Sequence, residues 1–322
     1  MREPKTLQEA IIHFADADNC LEYMVSRLWP NGIVCPVCGR TEPTFLKNQR
    51  KWQCKSVHPK RQFSAKTGTI FEDSPIPLEK WLPTMWLVTN CKNGISSYEI
   101  SRAMDVTQKT AWFMLHRIRL AMKSNSKLKL GNQGGPVEMD ETFVGGKLKN
   151  MHKNKKPKGT GFSGIAGGAM AKTIVVGMLE RNGRVKAEVV AERSHLVLAS
   201  LVNKHIHSGA TLVTDEWGGY KGTQSAHEII NHAIEYVNGQ VHTNGIENFW
   251  SLLKRALGGT YISVEPFHLE SYIDEQIFRY ENRATKKNPL TDTDRFKLAA
   301  SQISGKRLTY AELTGKVGAA AF

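Results

Sequence analysis

Residues 241–259 read VHTNGIENFWSLLKRALGG. This stretch decides the architecture because it sets one carboxylate, Glu247, on a helix that is apolar along one side and basic along the other. At about 3.6 residues per turn, Ile246, Phe249, Trp250, Leu253 and Leu257 fall on one buried stripe, while Glu247, Ser251 and Lys254 share the neighbouring polar face. A lone glutamate there would carry no message. Two other segments give it company: VEMDETFVGG around Asp140 and ATLVTDEWGGY around Asp215 each end a strand-like run on an aspartate beside Glu and glycine. Two aspartates and one glutamate supply the oxygen donors of a divalent-metal site.

Working outward, Val137–Val144 reads as a strand in which Glu138 and Asp140 share a face and Glu141 takes the other, so Asp140 is the better ligand. Residues 145–172 are rich in Gly and Lys (Lys147, Lys149, Lys153, Lys155, Lys156 and Lys158) without apolar periodicity, which predicts a loop or hairpin tip with a solvated surface. Strands Thr173–Glu180 and Val185–Ala191 are joined by Asn182-Gly183, a hairpin signal. Ser194 is read as the cap of a helix over His195–His207, and Ala210–Thr214 as a short buried strand leading into Asp215. The order strand, strand, strand, helix, strand, then later helices predicts a mixed α/β domain. Pro266–Arg283 has the pattern of a helix packed on its core. From Ala284 onward the chain is weakly patterned, apart from a short helix at Tyr310–Gly315, and its alanine-rich end to Phe322 reads as a mobile tail.

The N-terminal half has a different character. Residues 5–28 show helical spacing that Trp29-Pro30-Asn31-Gly32 stops. Cys35-Pro36-Val37-Cys38-Gly39 is a tight C-x2-C knuckle, and Cys54 is followed at i+4 by His58 in place of a second C-x2-C. Cys35, Cys38, Cys54 and His58 are therefore read as the ligands of one structural zinc ribbon; the other reading leaves Cys54 in the core and His58 on the surface. Cys20 and Cys91 sit in apolar helical patterns and read as ordinary buried thiols. Residues 61–71 continue the ribbon as β-like segments up to a boundary at Ser74-Pro75-Ile76-Pro77. Residues 78–92 form an amphipathic helix whose aromatics belong to a core. A helix-turn-helix pattern follows: Ser97 caps Tyr98–Met104, Asp105-Val106 turns, and Thr107 caps Gln108–Met122. In that second helix Ala111, Met114, Leu115, Ile118 and Met122 face inward, leaving Gln108, Lys109, Arg117, Arg119 and Lys123 outward for DNA. Any αα-hairpin with a solvated basic face gives the same pattern. Residues 123–136 read as a linker.

Composition narrows the partners. Across 322 residues, 40% hydrophobic and 23% charged content suits a folded globular protein and excludes a disordered chain. The balance of 44 Lys+Arg against 30 Asp+Glu, a net +14 with pI near 9.5, favours a polyanion, with nucleic acid ahead of an acidic membrane surface. No apolar run approaches the ~18 residues of a membrane span, and the first residues lack the apolar centre of a signal peptide. The expectation is a cytoplasmic, nucleoid-associated protein with no membrane partner.

The strings KTGTIFEDSPIPL, VEMDETFVGGK, VVGMLER, TDEWGGY and VHTNGIENFWSLLKRALGGTY together resemble the IS1595-type insertion-sequence transposases, the group with an ISXO2-like catalytic domain, over roughly residues 15–285. The resemblance implies a ribonuclease-H-like core with a D-D-E triad (D-D-N in some members) at Asp140, Asp215 and Glu247. It implies a lysine seven residues after the last acid, which falls on Lys254, with Arg255 beside it as a further DNA contact. It implies two catalytic Mg²⁺ (or Mn²⁺) ions and one structural Zn²⁺. By analogy Asp140 would bridge both catalytic ions, with Asp215 on the nucleophile's ion and Glu247 on the other. The implied partner is double-stranded DNA, both element ends and target, held by a homodimer or larger synaptic complex. The expected domains are 1–77 (helical lead-in and ribbon), 78–133 (helix-turn-helix), 134–290 (catalytic) and 291–322 (tail). The expected activity is metal-dependent strand cleavage and strand transfer. Two other functions fit the residues: a catalytically silent DNA-binding regulator, and a nuclease of the same fold that does not join ends. Asn244 and Asn248 flank Glu247 as substitute ligands should it face away, and His242 could orient a phosphate or a water.

Overall fold

In a computed structural model the chain is described over residues 3–124, 126–132, 135–146, 172–181, 183–215, 226–230, 243–286 and 288–316, with the side chains of 215 and 226–230 outside the description. It divides into two compact units, Met1–Ser124 with Asn282–Phe322, and Asn125–Glu281.

In the first unit the helical lead-in is two helices, α1 (Leu7–Phe14) and α2 (Ala17–Leu28). The break is chemical: the Asp16 carboxylate accepts the backbone N–H groups of Asp18 at 2.7 Å and Asn19 at 3.0 Å, which starts a new helix. A small antiparallel sheet follows, β1 (Thr44–Leu46), β2 (Lys51–Gln53) and β3 (Gln62–Phe63) in that spatial order. Its core is aromatic, with Trp52 packed among Trp29, Phe45 and Phe63.

Helices α3 (Leu78–Asn90), α4 (Ser97–Met104) and α5 (Gln108–Met122) come next. The cap of α4 is Ser96, one residue before the expected Ser97, because Ser96 and Glu99 form a reciprocal capping box. Thr107 caps α5 as expected. Two residues expected outward on α5 are not: Arg117 and Arg119 are buried, at 5% and 1% exposure. The Arg117 guanidinium donates to the carbonyls of Ile70 at 3.1 Å, Glu72 at 2.8 Å and Leu308 at 3.1 Å, and it lies over the Phe113 ring. These carbonyls satisfy its donors inside the protein, so Arg117 ties three segments together. Gln108 donates to the Ser97 hydroxyl at 2.8 Å, while Lys109 is exposed and lies over the ring of Tyr310.

The stretch expected as a tail is largely structural. Thr291 and Asp294 cap α9 (Asp292–Ser301), whose Phe296 packs against Phe14, Tyr23 and Trp86, and Thr309 and Glu312 cap the single turn α10 (Tyr310–Leu313). By their contacts the residues from 282 group with the first unit, where Phe296, Ala299, Ala300 and Ile303 are buried. The last residues, 317–322, lie outside the described part.

The second unit is a five-stranded sheet in the order β6-β5-β4-β7-β8, built from β4 (Val137–Val144), β5 (Thr173–Glu180), β6 (Val185–Val190), β7 (Thr211–Asp215) and β8 (Ala226–Ile230). Strands β4, β5 and β6 pair antiparallel, and β7 and β8 run parallel to β4. Helix α6 (His195–His205) covers one face, burying Leu198, Leu201 and Val202 against Val137, Met139 and Val176. Helices α7 (Asn244–Arg255) and α8 (Leu269–Glu281) cover the other, burying Ile246, Phe249, Trp250, Leu253 and Ile273 against Val175 and Leu179. Ser194 stands at the start of α6 but does not cap it: its hydroxyl donates to Glu192 instead. Beyond α7 the backbone widens into a π-helical turn, Ala256–Tyr261. No helix among the described residues is long and apolar enough to cross a membrane.

Candidate active site and zinc centre

Side chains alternate along β4, so Glu138 and Asp140 both face α7 while Val137 and Met139 face α6. Helix α7 runs alongside β4 in the same direction, held at two points. The Glu138 carboxylate accepts the backbone N–H of Ile246, in the first turn of α7, at 2.9 Å, and pairs with Arg181 at 2.9 Å. An anion at that place is favoured by the unsatisfied N–H groups and dipole of the helix start. One turn further on, the Trp250 indole N–H donates to Asp140 Oδ2 at 3.0 Å, while the Glu141 backbone N–H donates to Oδ1 at 2.8 Å.

The helix can lie this close because two glycines make room. A Cβ at Gly177, the partner of Asp140 on β5, would stand 2.5 Å from the Trp250 ring, and one at Gly245 would stand 2.7 Å from Glu138 Oε2. Glu247 is exposed on the first turn of α7, and the Thr243 hydroxyl donates to its Oε1 at 2.9 Å. It precedes Trp250 by three residues, so it neighbours on the helix surface the side chain that touches Asp140.

Asp215 ends β7. Ladder pairs Val137 with Leu212 and Glu138 with Val213; carried two residues onward, this register sets the backbone of Asp215 level with Asp140. Trp250 therefore ties Asp140 to α7, the helix that also carries Glu247, and Asp215 ends the adjacent strand. Lys254 and Arg255 are exposed in the last turn of α7. Asn244 and Asn248 are exposed on the same helix, and His242 lies outside the described residues, as do Asn182 and the lysines between 147 and 158.

Glu138 was read from the sequence only as a residue on the face of Asp140. Its fixing of α7 needed the distance to Ile246, which is 108 residues away. Glu138→Ala is expected to destabilise the second unit by about 3 kcal/mol, since the change breaks a buried ion pair and a helix-start hydrogen bond together. Urea unfolding checks this; an unchanged midpoint would show that α7 is held without Glu138.

The second centre is in the first unit. Donor atoms of Cys35, Cys38, Cys54 and His58 all lie within 4.8 Å of one another, with Cys35 Sγ 3.4 Å from His58 Nε2 and Cys38 Sγ 3.5 Å from Cys54 Sγ. Tetrahedral zinc with bonds of about 2.0–2.3 Å needs donors about 3.5 Å apart, so the four fit the ion. The Pro59 carbonyl lies 2.6 Å from His58 Nδ1, which turns Nε2 toward the thiols. Burial pushes the Cys35 thiol up. At Cys54 burial is outweighed by the backbone N–H of Ser56 and the neighbouring thiols, and the thiol is held below its usual range.

Comparison with known families bears on both centres. The family model of the ISXO2-like transposase domain matches residues 133–281, and that of the transposase zinc-ribbon domain matches residues 15–56. The chain belongs to the IS1595-type transposases. In this chain the family domain ends on the last residue of the second unit, and the ribbon match includes all three zinc-site cysteines and stops two residues before His58. A protein of Halobacterium salinarum, described as an uncharacterized protein in transposable element ISH50, is 27% identical over 281 residues, covering 81% of this chain and 92% of its own length.

Proposed function

We propose that the chain binds the ends of an insertion sequence and catalyses divalent-metal-dependent DNA strand cleavage and strand transfer. The observation that carries this reading is the hold of Trp250 on Asp140, one helical turn from Glu247 and level with Asp215. The sheet supports a ribonuclease-H-like core: counted along the domain, its five strands lie in the order third, second, first, fourth, fifth, the first three antiparallel and the last two parallel to the first. The α4–α5 pair, with Gln108 and Lys109 at the accessible start of its second helix, supports a helix-turn-helix DNA reader.

Asp140, Asp215 and Glu247 would hold two Mg²⁺ or Mn²⁺ ions. Carboxylate oxygens suit these hard cations, and those of Asp140 and Glu247 are oriented by donated hydrogen bonds. When bound, such a pair stabilises the attacking and leaving oxygens of an in-line phosphodiester displacement. The chain's own residues do the rest. Trp250 and the Glu141 amide orient Asp140, Thr243 orients Glu247, and Lys254 with Arg255 neutralises DNA phosphates beside the acids.

The experiment incubates the full chain with duplexes made from the DNA ends flanking its gene, plus Mg²⁺ or Mn²⁺ and a target plasmid, and resolves strands on denaturing gels. Nicks at the element boundary and joined products are expected. Specific binding without cleavage would overturn the reading in favour of a regulator. Cleavage without joining would make the chain a nuclease.

A further inference from the structure

Past the acids, β4 and α7 continue side by side for about 10 Å, three or four strand residues beyond Asp140 and two helical turns beyond Glu247. There they open into a cleft of about 490 Å³, within the ~300–1,000 Å³ range of ligand sites. Its chemistry is two-sided. Lys172 and Lys254 supply cations, Val144, Leu257, Ile262 and Val264 supply apolar wall, and no acidic residue lines it among the described residues.

One of those wall residues is unusual. Ile262 stands at φ +62° and ψ −53°, a conformation that a β-branched side chain rarely adopts, and it is 81% exposed. It is held there from below. The hydroxyl of the preceding Tyr261 bonds to Glu275, a fully buried carboxylate on α8 that also pairs with Arg279. A strained apolar side chain presented to solvent at a cationic cleft is a contact surface in search of a flat apolar ligand.

We propose that this cleft takes one unstacked nucleotide of the DNA strand that passes the acids, its base against Leu257, Ile262 and Val264 and its phosphates between Lys172 and Lys254. The proposal rests on the reading of the second unit as a strand-cutting domain. Charge selects the occupant: among the described residues the cleft has cations and no anion, so it suits a phosphodiester chain. Volume and the apolar wall exceed what a free phosphate uses, and continuity with Asp140 through β4 and with Glu247 through α7 puts the cleft within a few nucleotides of the cut.

The test uses the full chain without added divalent cation, so that it reads binding and not cleavage. Fluorescence anisotropy compares a short duplex carrying a single-stranded thymidine overhang with the same duplex whose overhang is abasic. The intact protein is expected to prefer the thymidine overhang about tenfold. Ile262→Gly removes the wall residue and relieves the positive φ, so it keeps the fold, and it is expected to reduce that preference to near unity while binding the abasic overhang as before. Lys172→Ala is expected to weaken both overhangs and lower the salt dependence, with the preference retained. Equal binding of the two overhangs by the intact protein, or a preference that survives Ile262→Gly, overturns the proposal. A cleavage assay with Mg²⁺ on ordinary ends, run in parallel, separates the two failures: preference without cleavage keeps the cleft and removes the enzyme, and cleavage without preference does the reverse.

Discussion

Asp140→Asn is expected to lower strand cleavage by ~10³-fold or more while leaving DNA binding unchanged. Asparagine keeps the shape of the side chain and one oxygen, so it can still accept either the Trp250 indole or the Glu141 amide, and the other lost hydrogen bond costs about 1 kcal/mol of stability. What it cannot keep is the negative charge. A divalent ion held there would stabilise the charge that develops in the transition state by several kcal/mol, and at ~1.4 kcal/mol per tenfold the loss of a carboxylate that would hold it corresponds to three or more decades. The proposed DNA contacts are elsewhere: Lys254 and Arg255 stand at the far end of α7, and the α4–α5 pair belongs to the other unit. Cleavage of labelled end duplexes and anisotropy of the same duplexes give the two readouts. Cleavage retained within tenfold would remove Asp140 from the chemistry.

The parts of this site that were legible in the sequence are those set by periodicity. The stripe Ile246, Phe249, Trp250, Leu253 is buried against the sheet, and the two-residue alternation of β4 puts Glu138 and Asp140 on one face, because both patterns follow from backbone geometry alone. The parts that were not legible depend on partners far away in the chain. Trp250 is apolar by pattern, and its role in orienting Asp140 comes from one N–H that needs a partner when the ring is buried. Pattern alone puts Arg117 and Arg119 outward because arginines usually are; the Ile70, Glu72 and Leu308 carbonyls that hold Arg117 inside lie 45 to 191 residues away. Helix α9 was missed because its buried face is mostly alanine around Phe296, which gives little contrast against its surroundings. Strand β8, which completes the sheet, is five residues long and too short to stand out by pattern.

Stripping zinc from Cys35, Cys38, Cys54 and His58 is expected to unfold the ribbon and leave the second unit folded. The ribbon has little else to hold it. Its strands are three, three and two residues long, and its aromatic core is three side chains around Trp52. Sheets so short do not stand alone in water, and chains of this size usually need a metal or disulfides. Its cysteines are free thiols, so the metal has to supply the stability, and structural zinc contributes ~10–16 kcal/mol in comparable small domains. The second unit has two buried clusters of its own, one on each face of its sheet, and no zinc-site residue belongs to either. The purified chain is expected to carry close to one zinc per molecule by metal analysis. Treatment with a strong chelator is expected to shift the emission of Trp29 and Trp52 toward that of exposed indole and to weaken binding to element ends at least tenfold, while the thermal transition of the second unit persists. Zinc content near zero in a protein that binds those ends would mean that the four side chains pack as a metal-free cluster. Loss of both transitions on chelation would mean that the two units fold as one.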